Sequence, residues 1–497
     1  MNKNLPSSPF SPSKQARFSF PLHFSERKLL LATVDLLLLN LALLCILALR
    51  ANISLTWSVV WEHWSWYLLL SGLWLATGLM FDIYDLARAA SPFHSAWATS
   101  NTALLTSLFY WFTPYLAPTL RQAQGGALPS PRLEVVLFLL LTTLSIAIWR
   151  VLYATLLFQP TFRQTALIIG SGHSARTLIQ AIAATGGLTG EKGNPIRGTG
   201  YALQGIISQQ PLAEQTIENL RVLGDVSALP ALVRLLKPDE IIVATEGKAS
   251  QKTLQAVLDS RELGIPITTM TTLYERVTGR VPVEHVDGNL DIILPMTRPS
   301  HTRLYLIMAR LFDLVAVFLS LPLLMILMPL IWLANQLSDP GDLFYQQERV
   351  GKQGQPFEII KFRTMIMDAE KQTGAVWASE KDPRITPVGR FLRQTRIDEL
   401  PQLWNVLKGE MSIIGPRPER PHFVQQLTKE IPFYRARHAV KPGLTGWAQV
   451  KYRYGASAED ALMKVQYDLF YIKLQGPYLD LLILLKTVQV VLGFKGR

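Results

Sequence analysis

Four apolar runs in the first third of this 497-residue chain, Leu29–Leu49, Trp64–Met80, Thr102–Pro118 and Leu133–Phe158, leave little choice of environment. Each is near the ~20 residues that a helix needs to cross a bilayer. A soluble helical core is the alternative, and four such runs in succession argue against it. Trp57, Trp61, Trp64, Trp66 and Tyr67 gather at one boundary, as aromatic belts do at the membrane–water interface. The balance of 49% hydrophobic against 17% charged residues, with a mean hydropathy of +0.20, points the same way.

Charge sets the expected orientation. Met1 to Glu26 is rich in Ser, Pro and Lys and reads as part of a disordered tail over residues 1–28. No small-residue cleavage site comes after the first apolar run, so the tail is not a signal peptide. It carries Lys3, Lys14, Arg17, Arg27 and Lys28, whereas residues 51–63 carry neither Lys nor Arg. The N-terminus is therefore expected in the cytoplasm, although Arg121 and Arg132 in the third loop run against this. Four crossings over residues 29–158 would return the chain to the cytoplasm. Cys45 is the single cysteine, so no intramolecular disulfide can form. A net charge of +12 and a pI of about 9.6 are compatible with nucleic acid, anionic lipid or phosphorylated substrates. Beside the apolar runs, lipid and phosphate are the better partners and nucleic acid is not expected.

Residues 164–280 change character. Strand-like runs at Thr165–Ile169, Leu203–Ile207, Ile241–Ala244 and Ile265–Thr269 alternate with helical segments, an α/β pattern with a parallel sheet. Gly170-Ser-Gly-His-Ser-Ala175 after the first strand resembles a dinucleotide-binding turn. The acid expected after the second strand is missing, with Ser208, Gln209 and Gln210 in its place. A Rossmann-like domain with a weak or lost ligand, regulatory or structural in role, is the expectation. Residues 281–301 form a linker containing Pro282, Pro295 and Pro299.

Residues 302–497 open with an apolar run over 304–335 that contains Arg310, Asp313, Pro322 and Pro329. A helix bent at a proline, dipping into the membrane and returning, would keep the polar residues beyond 335 on the cytoplasmic side. A fifth plain crossing is the alternative. In Phe357-Glu-Ile-Ile-Lys-Phe-Arg363, Lys361 and Arg363 lie two apart on an expected strand and project from one face, a candidate diphosphate clamp. Leu400, Leu403, Trp404 and Leu407 mark a helix face ending at Gly409, so the helix should start near Asp398. There Arg393 and Arg396 would hold Asp398 ionised, a candidate nucleophile at phosphorus, and Glu399 is placed to hold Mg²⁺. A plain helix cap with a helpful glutamate is the alternative. Pro416-Arg-Pro418 presents Arg417 rigidly for phosphate. The C-terminal run Tyr478–Leu492 reads as an interfacial helix, with core packing as the alternative.

Taken in order, Lys361-Phe-Arg-Thr-Met365, Asp398-Glu-Leu-Pro-Gln402, Pro416-Arg-Pro418 and Pro442-Gly-Leu-Thr-Gly446 resemble the bacterial sugar transferase family, the polyprenyl-phosphate hexose-1-phosphate transferases, over residues 302–497. With the N-terminal crossings and the Rossmann-like domain, the chain looks like the family's large membrane forms. The implied fold class is membrane α plus α/β: four transmembrane helices, a Rossmann-like cytoplasmic domain, and a C-terminal α/β catalytic domain with a re-entrant helix. The implied reaction moves hexose-1-phosphate from a UDP-sugar to undecaprenyl phosphate in the bacterial inner membrane. Asp398 attacks, Glu399 binds Mg²⁺, and Lys361, Arg363, Arg393 and Arg417 hold phosphates, with Arg396, Pro416 and Pro418 in support. Membrane lipids and, as an open assembly, a homodimer complete the expected partners. The family usually carries Ser-Pro where the re-entrant helix breaks. Leu321-Pro322 and Met328-Pro329 stand here instead, which leaves the break position open.

Two rivals fare worse. A membrane-anchored nucleotide-sugar dehydratase or epimerase needs a Tyr-x-x-x-Lys pair, and no Tyr in this chain is followed four positions later by Lys. A non-catalytic assembly scaffold would have no need of the intact Asp398-Glu399 pair.

Overall fold

The computed structural model describes residues 24–51, 64–89, 91–116, 132–157, 164–186, 197–198, 201–209, 215–247, 249–285, 303–367, 369, 382–452 and 457–492. Trp57, Trp61, Arg121, most of the tail and all of the linker beyond His285 lie outside these residues.

All four N-terminal apolar runs are helical, in Phe24–Ala51, Trp64–Met80, Pro92–Leu116 and Arg132–Leu152. Among the described residues, three helical stretches are long and apolar enough to cross a membrane: Glu26–Ile46, Leu133–Thr155 and Arg303–Ser338. The helix Trp64–Met80 spans 17 residues, roughly 26 Å, a little short of the ~30 Å hydrocarbon core. Pro92–Leu116 carries buried Thr99, Thr102 and Thr106, and Thr106 meets Thr77 of the preceding helix at 2.6 Å between hydroxyls. Arg150 pairs with Asp35, both fully buried, and its Nη1 donates to Ile83 O at 2.7 Å. A charge in an apolar bundle is costly unless it is paired, so this bond joins the first helix to the fourth.

The next unit carries a sheet in the order Thr216–Ile217, Leu220–Asp225, Tyr201–Ser208, Gln164–Ile169, Glu240–Val243, Ile267–Thr269. The last five strands run parallel. Four fall where the alternation placed them, and Leu220–Asp225 is an addition. Gly170 adopts φ +124°, as the tight turn requires. The phosphate position of that turn is occupied from within: Glu246 accepts from the Ser174 amide at 3.1 Å. Its carboxylate sits so close to Gly172 that a Cβ there would meet Oε1 at 2.3 Å. Ser208, in place of the expected acid, faces the Ser171 hydroxyl at 3.2 Å.

The third unit is organised on one 36-residue helix, Arg303–Ser338, which continues through Pro322 and Pro329. The expected break does not interrupt it. Arg310 and Asp313 do not pair with each other but anchor the helix to the domain. Arg310 donates to Val406 O and Leu407 O at 2.6 and 2.8 Å. Asp313 accepts from Ser412 Oγ and the Ile413 amide at 3.0 and 2.8 Å. Toward the other end, Ile331 packs with Phe362 and Leu392.

The C-terminal helix Pro477–Leu492 packs one face into the core and leaves Tyr478, Leu481 and Val488 exposed. Leu479 and Ile483 enter the transferase core, and buried Lys486 pairs with Asp82 beyond the second N-terminal helix. The Rossmann-like unit is tied in as well, through Lys473–Glu275 at 2.7 Å and Trp447 Nε1 to Gly279 O at 3.0 Å.

Candidate active site

Two antiparallel strands, Phe344–Val350 and Pro356–Phe362, place Lys361 near the end of the second. The helix Pro387–Thr395 closes in a left-handed residue, Arg396 at φ 61°, which turns the chain abruptly. Asp398 and Glu399 come next in a 3₁₀ segment, Ile397–Gln402, that holds Pro401 and leads into the α-helix Leu403–Lys408, capped by Gly409. Asn405 joins the two pieces: its amide donates to Glu358 O at 2.7 Å and its carbonyl accepts from the Ile360 amide at 3.2 Å.

Arg417 arrives from a second direction. Short parallel strands, Ser412–Ile414 and Gly443–Thr445, pass so closely that a Cβ on Gly443 would meet Gly415 N at 2.1 Å. Only glycine permits that approach, which gives the Pro442-Gly-Leu-Thr-Gly446 motif its physical reason. The chain leaves the first strand through Pro416-Arg-Pro418. The Arg417 carbonyl accepts from Arg437 at 3.0 Å, and Arg437 is itself held by Asp468 at 2.7 Å.

The two acids, both buried, have opposite surroundings. Glu399 takes Arg417 on both oxygens at 2.5 and 3.2 Å, Lys361 at 3.3 Å and Arg396 at 3.5 Å. Burial alone would raise its pKa, but Arg417 and then Lys361 hold it well below the usual carboxylate range. Asp398 is pushed up to about 6, first by burial and then by the negative charge of Glu399. Its Oδ1 is buried with no hydrogen-bond partner among the described residues. Lys361, Arg396 and Arg417 pull the other way, but burial and Glu399 outweigh them, so the net shift is upward where the sequence suggested a firmly ionised carboxylate. The strongest cation contacts go to its neighbour.

Asp398 lines a cavity of about 490 Å³, within the range of small-molecule sites. Arg349, Lys361, Arg363, Arg384, Arg393 and Arg420 also line it, against the carboxylates of Asp342, Asp398 and Glu419. Arg393 donates to Thr364 Oγ1 at 2.9 Å. The expected Lys361–Arg363 clamp divides. Lys361 goes to Glu399, while Arg363 spends all three guanidinium nitrogens on the turn just beyond the long helix. It reaches Asp339 Oδ2 at 2.6 Å, Asp342 O at 2.8 Å and Asp339 O. Arg349, Asn405, Arg437 and Asp468 were not singled out from the sequence. Each lies outside the recognisable motifs, and each has at least one partner remote in the chain.

Residues 304–494 match the family described as bacterial sugar transferase. The UDP-N-acetylgalactosamine-undecaprenyl-phosphate N-acetylgalactosaminephosphotransferase of Aeromonas hydrophila is 39% identical over 303 residues, covering 60% of this chain and 68% of that one. The UDP-glucose:undecaprenyl-phosphate glucose-1-phosphate transferase of Escherichia coli K12 is 42% identical over 187 residues, 37% of this chain and 39% of that one. The UDP-galactose-lipid carrier transferase of Erwinia amylovora is 38% identical over 202 residues, 38% of this chain and 41% of that one. With this similarity, the apolar helices and the cationic cavity around Asp398, the chain is a membrane phosphotransferase and belongs to the bacterial sugar transferases, the polyprenyl-phosphate hexose-1-phosphate transferases.

Proposed function

We propose that the protein transfers a hexose-1-phosphate from a UDP-sugar to undecaprenyl phosphate and releases UMP. Asp398 carries the sugar phosphate between the two steps. The supporting observation is a buried carboxylate with an unclaimed oxygen at the wall of a cavity rich in cations. With a pKa of about 6, Asp398 is mostly ionised at neutral pH yet more basic than an ordinary carboxylate, which suits a nucleophile.

In the first step an Asp398 oxygen bonds to the β-phosphorus and the bond to the bridging oxygen breaks. UMP leaves with the electron pair. In the second step an oxygen of the lipid phosphate bonds to the same phosphorus, and the Asp398 carboxylate is released. No oxidant is needed, and one phosphoanhydride replaces another. The remaining work is positioning and charge neutralisation. Lys361 and Arg393, which line the cavity with Asp398, would hold phosphate oxygens, Arg417 would join them from its place on Glu399, and Arg363 would keep the cavity wall joined to the turn beyond the long helix.

Glu399 offers hard carboxylate oxygens of the kind Mg²⁺ takes, but both are claimed by Arg417, Lys361 and Arg396, and the unclaimed oxygen is that of Asp398, so the ion would enter only with the substrate phosphates. Bound through Glu399 together with the donor diphosphate, it would supply neutralisation of the charge that collects on the leaving UMP. Substrate phosphates would then draw Lys361 and Arg417 away from Glu399.

The fold also supports keeping both ends of the long helix on one face of the membrane, and the basic tail (Lys3, Lys14, Arg17, Arg27, Lys28) makes the cytoplasmic face of the bacterial inner membrane our reading of which one. Arg310, Asp313 and Val317 at one end of the long helix, and Ile331 and Asn335 at the other, are buried against the same domain or hydrogen-bonded to it. From Arg310 to Ile331 is about 32 Å along a helix, roughly the hydrocarbon thickness. A perpendicular crossing would drag the polar domain into lipid. A helix that stays continuous but bends at Pro322 or Pro329, dipping in and returning, avoids this, with its exposed Leu304, Leu311, Phe318, Met325, Trp332 and Leu337 toward the acyl chains. The pathway served is the first membrane step of exopolysaccharide, capsule or O-antigen synthesis. The relatives above are named for N-acetylgalactosamine, glucose and galactose, so the donor assay should include all three UDP-sugars. Membranes containing the protein, given undecaprenyl phosphate and each donor, should release UMP and form a sugar-diphosphate lipid with at least one of them. Failure with the whole panel would overturn the reading.

A further inference from the structure

We propose that His173, Glu284 and His285 form a binding site for a divalent transition metal ion of the zinc class. The site would fasten the exit of the Rossmann-like unit to its own glycine turn. His173 opens the helix His173–Gly186 directly after Gly170-Ser-Gly172, and His285 returns to it from 111 residues beyond Ser174. One ligand atom from each of the three side chains lies within 4.8 Å of the others. The imidazole rings of His173 and His285 are 4.8 Å apart at their centroids and tilted by 47°. Metal–ligand bonds of about 2.0–2.2 Å in a tetrahedron bring donor atoms to roughly 3.4 Å of one another. The cluster must therefore close by at most about 1.4 Å by that geometry. His173 and Glu284 are exposed and have room to do so by side-chain rotation.

The outer groups suit the role. His285 is buried, with Nδ1 at 3.2 Å from Ser174 Oγ and Nε2 at 3.1 Å from Thr177 Oγ1. Both contacts are long. Binding through one nitrogen gives up one of them and keeps the other as the partner that fixes the tautomer. Two imidazoles and one carboxylate leave a fourth position for water, a donor set that favours zinc-class ions over Mg²⁺ or Ca²⁺.

The location also excludes the ligand that this architecture usually takes. The crevice at the carboxyl ends of parallel strands is where an open α/β sheet binds its ligand. Here Glu246 already accepts from the Ser174 amide, so the position that would attract a phosphate holds a carboxylate. An anion is repelled there, and a cation is drawn in. The consequence reaches the transferase unit. Val281 and Val283, just before the ligands, belong to its hydrophobic core, and the Val281 amide donates to Gln466 O at 3.1 Å. An ion on His173, Glu284 and His285 would thus tie the turn of one unit to the peptide that enters the other.

The test uses the full-length, untagged protein in detergent, stripped with chelator and titrated with Co²⁺ as a visible probe. One equivalent should bind with the absorption of a nitrogen-ligated, low-coordinate ion, and Zn²⁺ should displace it. His173→Ala and Glu284→Gln should each weaken binding by at least about tenfold, in line with the effect of disturbing a metal's ligand environment. Both positions are exposed, so the circular dichroism spectrum should be unchanged. Zn²⁺ should raise the melting temperature of the native protein and leave that of His173→Ala where it was. A double variant Asp398→Asn/Glu399→Gln should keep the Co²⁺ signal, which separates this site from the catalytic one. No stoichiometric Co²⁺ in the native protein, or equal binding in His173→Ala, overturns the proposal and leaves the two histidines as packed, hydroxyl-bonded side chains.

Discussion

The Arg417 guanidinium donates to both carboxylate oxygens of Glu399, at 2.5 and 3.2 Å, while adjacent Asp398 keeps a buried oxygen without a partner among the described residues. This fork-to-fork pairing is directional. It neutralises the acid that serves as a platform and leaves its neighbour more basic than an isolated carboxylate. Two residues joined by one peptide bond thereby have environments that push their ionisation apart, a pattern seen where paired carboxylates divide their roles.

The pH dependence comes from that division. Asp398 must be ionised to attack, and its pKa is about 6, so the rate of UMP release should fall as pH drops through about 6. Glu399 stays ionised across this window. In Glu399→Gln the negative charge that raises Asp398 is gone and Lys361 and Arg417 are freed toward it, so the acid limb should move to lower pH even as the rate falls. Single-turnover UMP release against pH measures both effects. A limb that stays put or moves upward in the variant would count against the charge coupling.

Arg417→Ala should lower the rate by roughly 10²–10³-fold, the scale for removing a placed charge donor from a transition state. Arg417→Lys should recover only part of it, because an ammonium cannot make the two-point contact. Steady-state UMP release in both variants decides this. Full recovery by lysine would show that charge alone suffices.

Topology has its own test. Ser338 is exposed at the end of the long helix, and Cys45 is the only native cysteine. In a Cys45→Ala background, Ser338→Cys should resist an impermeant thiol reagent on intact cells and react once the membrane is opened. Labelling from outside would establish a true crossing and place Asp398 on the wrong side for UDP-sugars.

Much of the architecture was legible because it rests on local signals. The apolar runs became helices. The alternating pattern became a parallel sheet around the glycine turn, and Gly409 ended its helix as expected. Pairing was not legible, because it is set by residues distant in sequence. Glu399 meets Arg417 across 18 positions and Lys361 across 38, so proximity in the chain could not announce either partner. Asp35 and Arg150 are 115 apart, and nothing near either one announces the other. Arg310 and Asp313 stand three apart on one helix, a spacing at which opposite charges can meet, yet each bonds elsewhere. The carbonyls of Val406 and Leu407 and the amide of Ile413 are their partners instead.

The covalent intermediate is the claim on which the rest depends. Protein in detergent, given a UDP-sugar labelled in the β-phosphate and no lipid acceptor, should release UMP in a burst and retain about one label per active chain. The label should be lost to hydroxylamine, as an acyl phosphate is, and chased into lipid when undecaprenyl phosphate is added. Asp398→Asn should show neither burst nor label while remaining folded in the membrane. Label retained by Asp398→Asn, or lipid product formed with no labelled protein before it, would contradict the account.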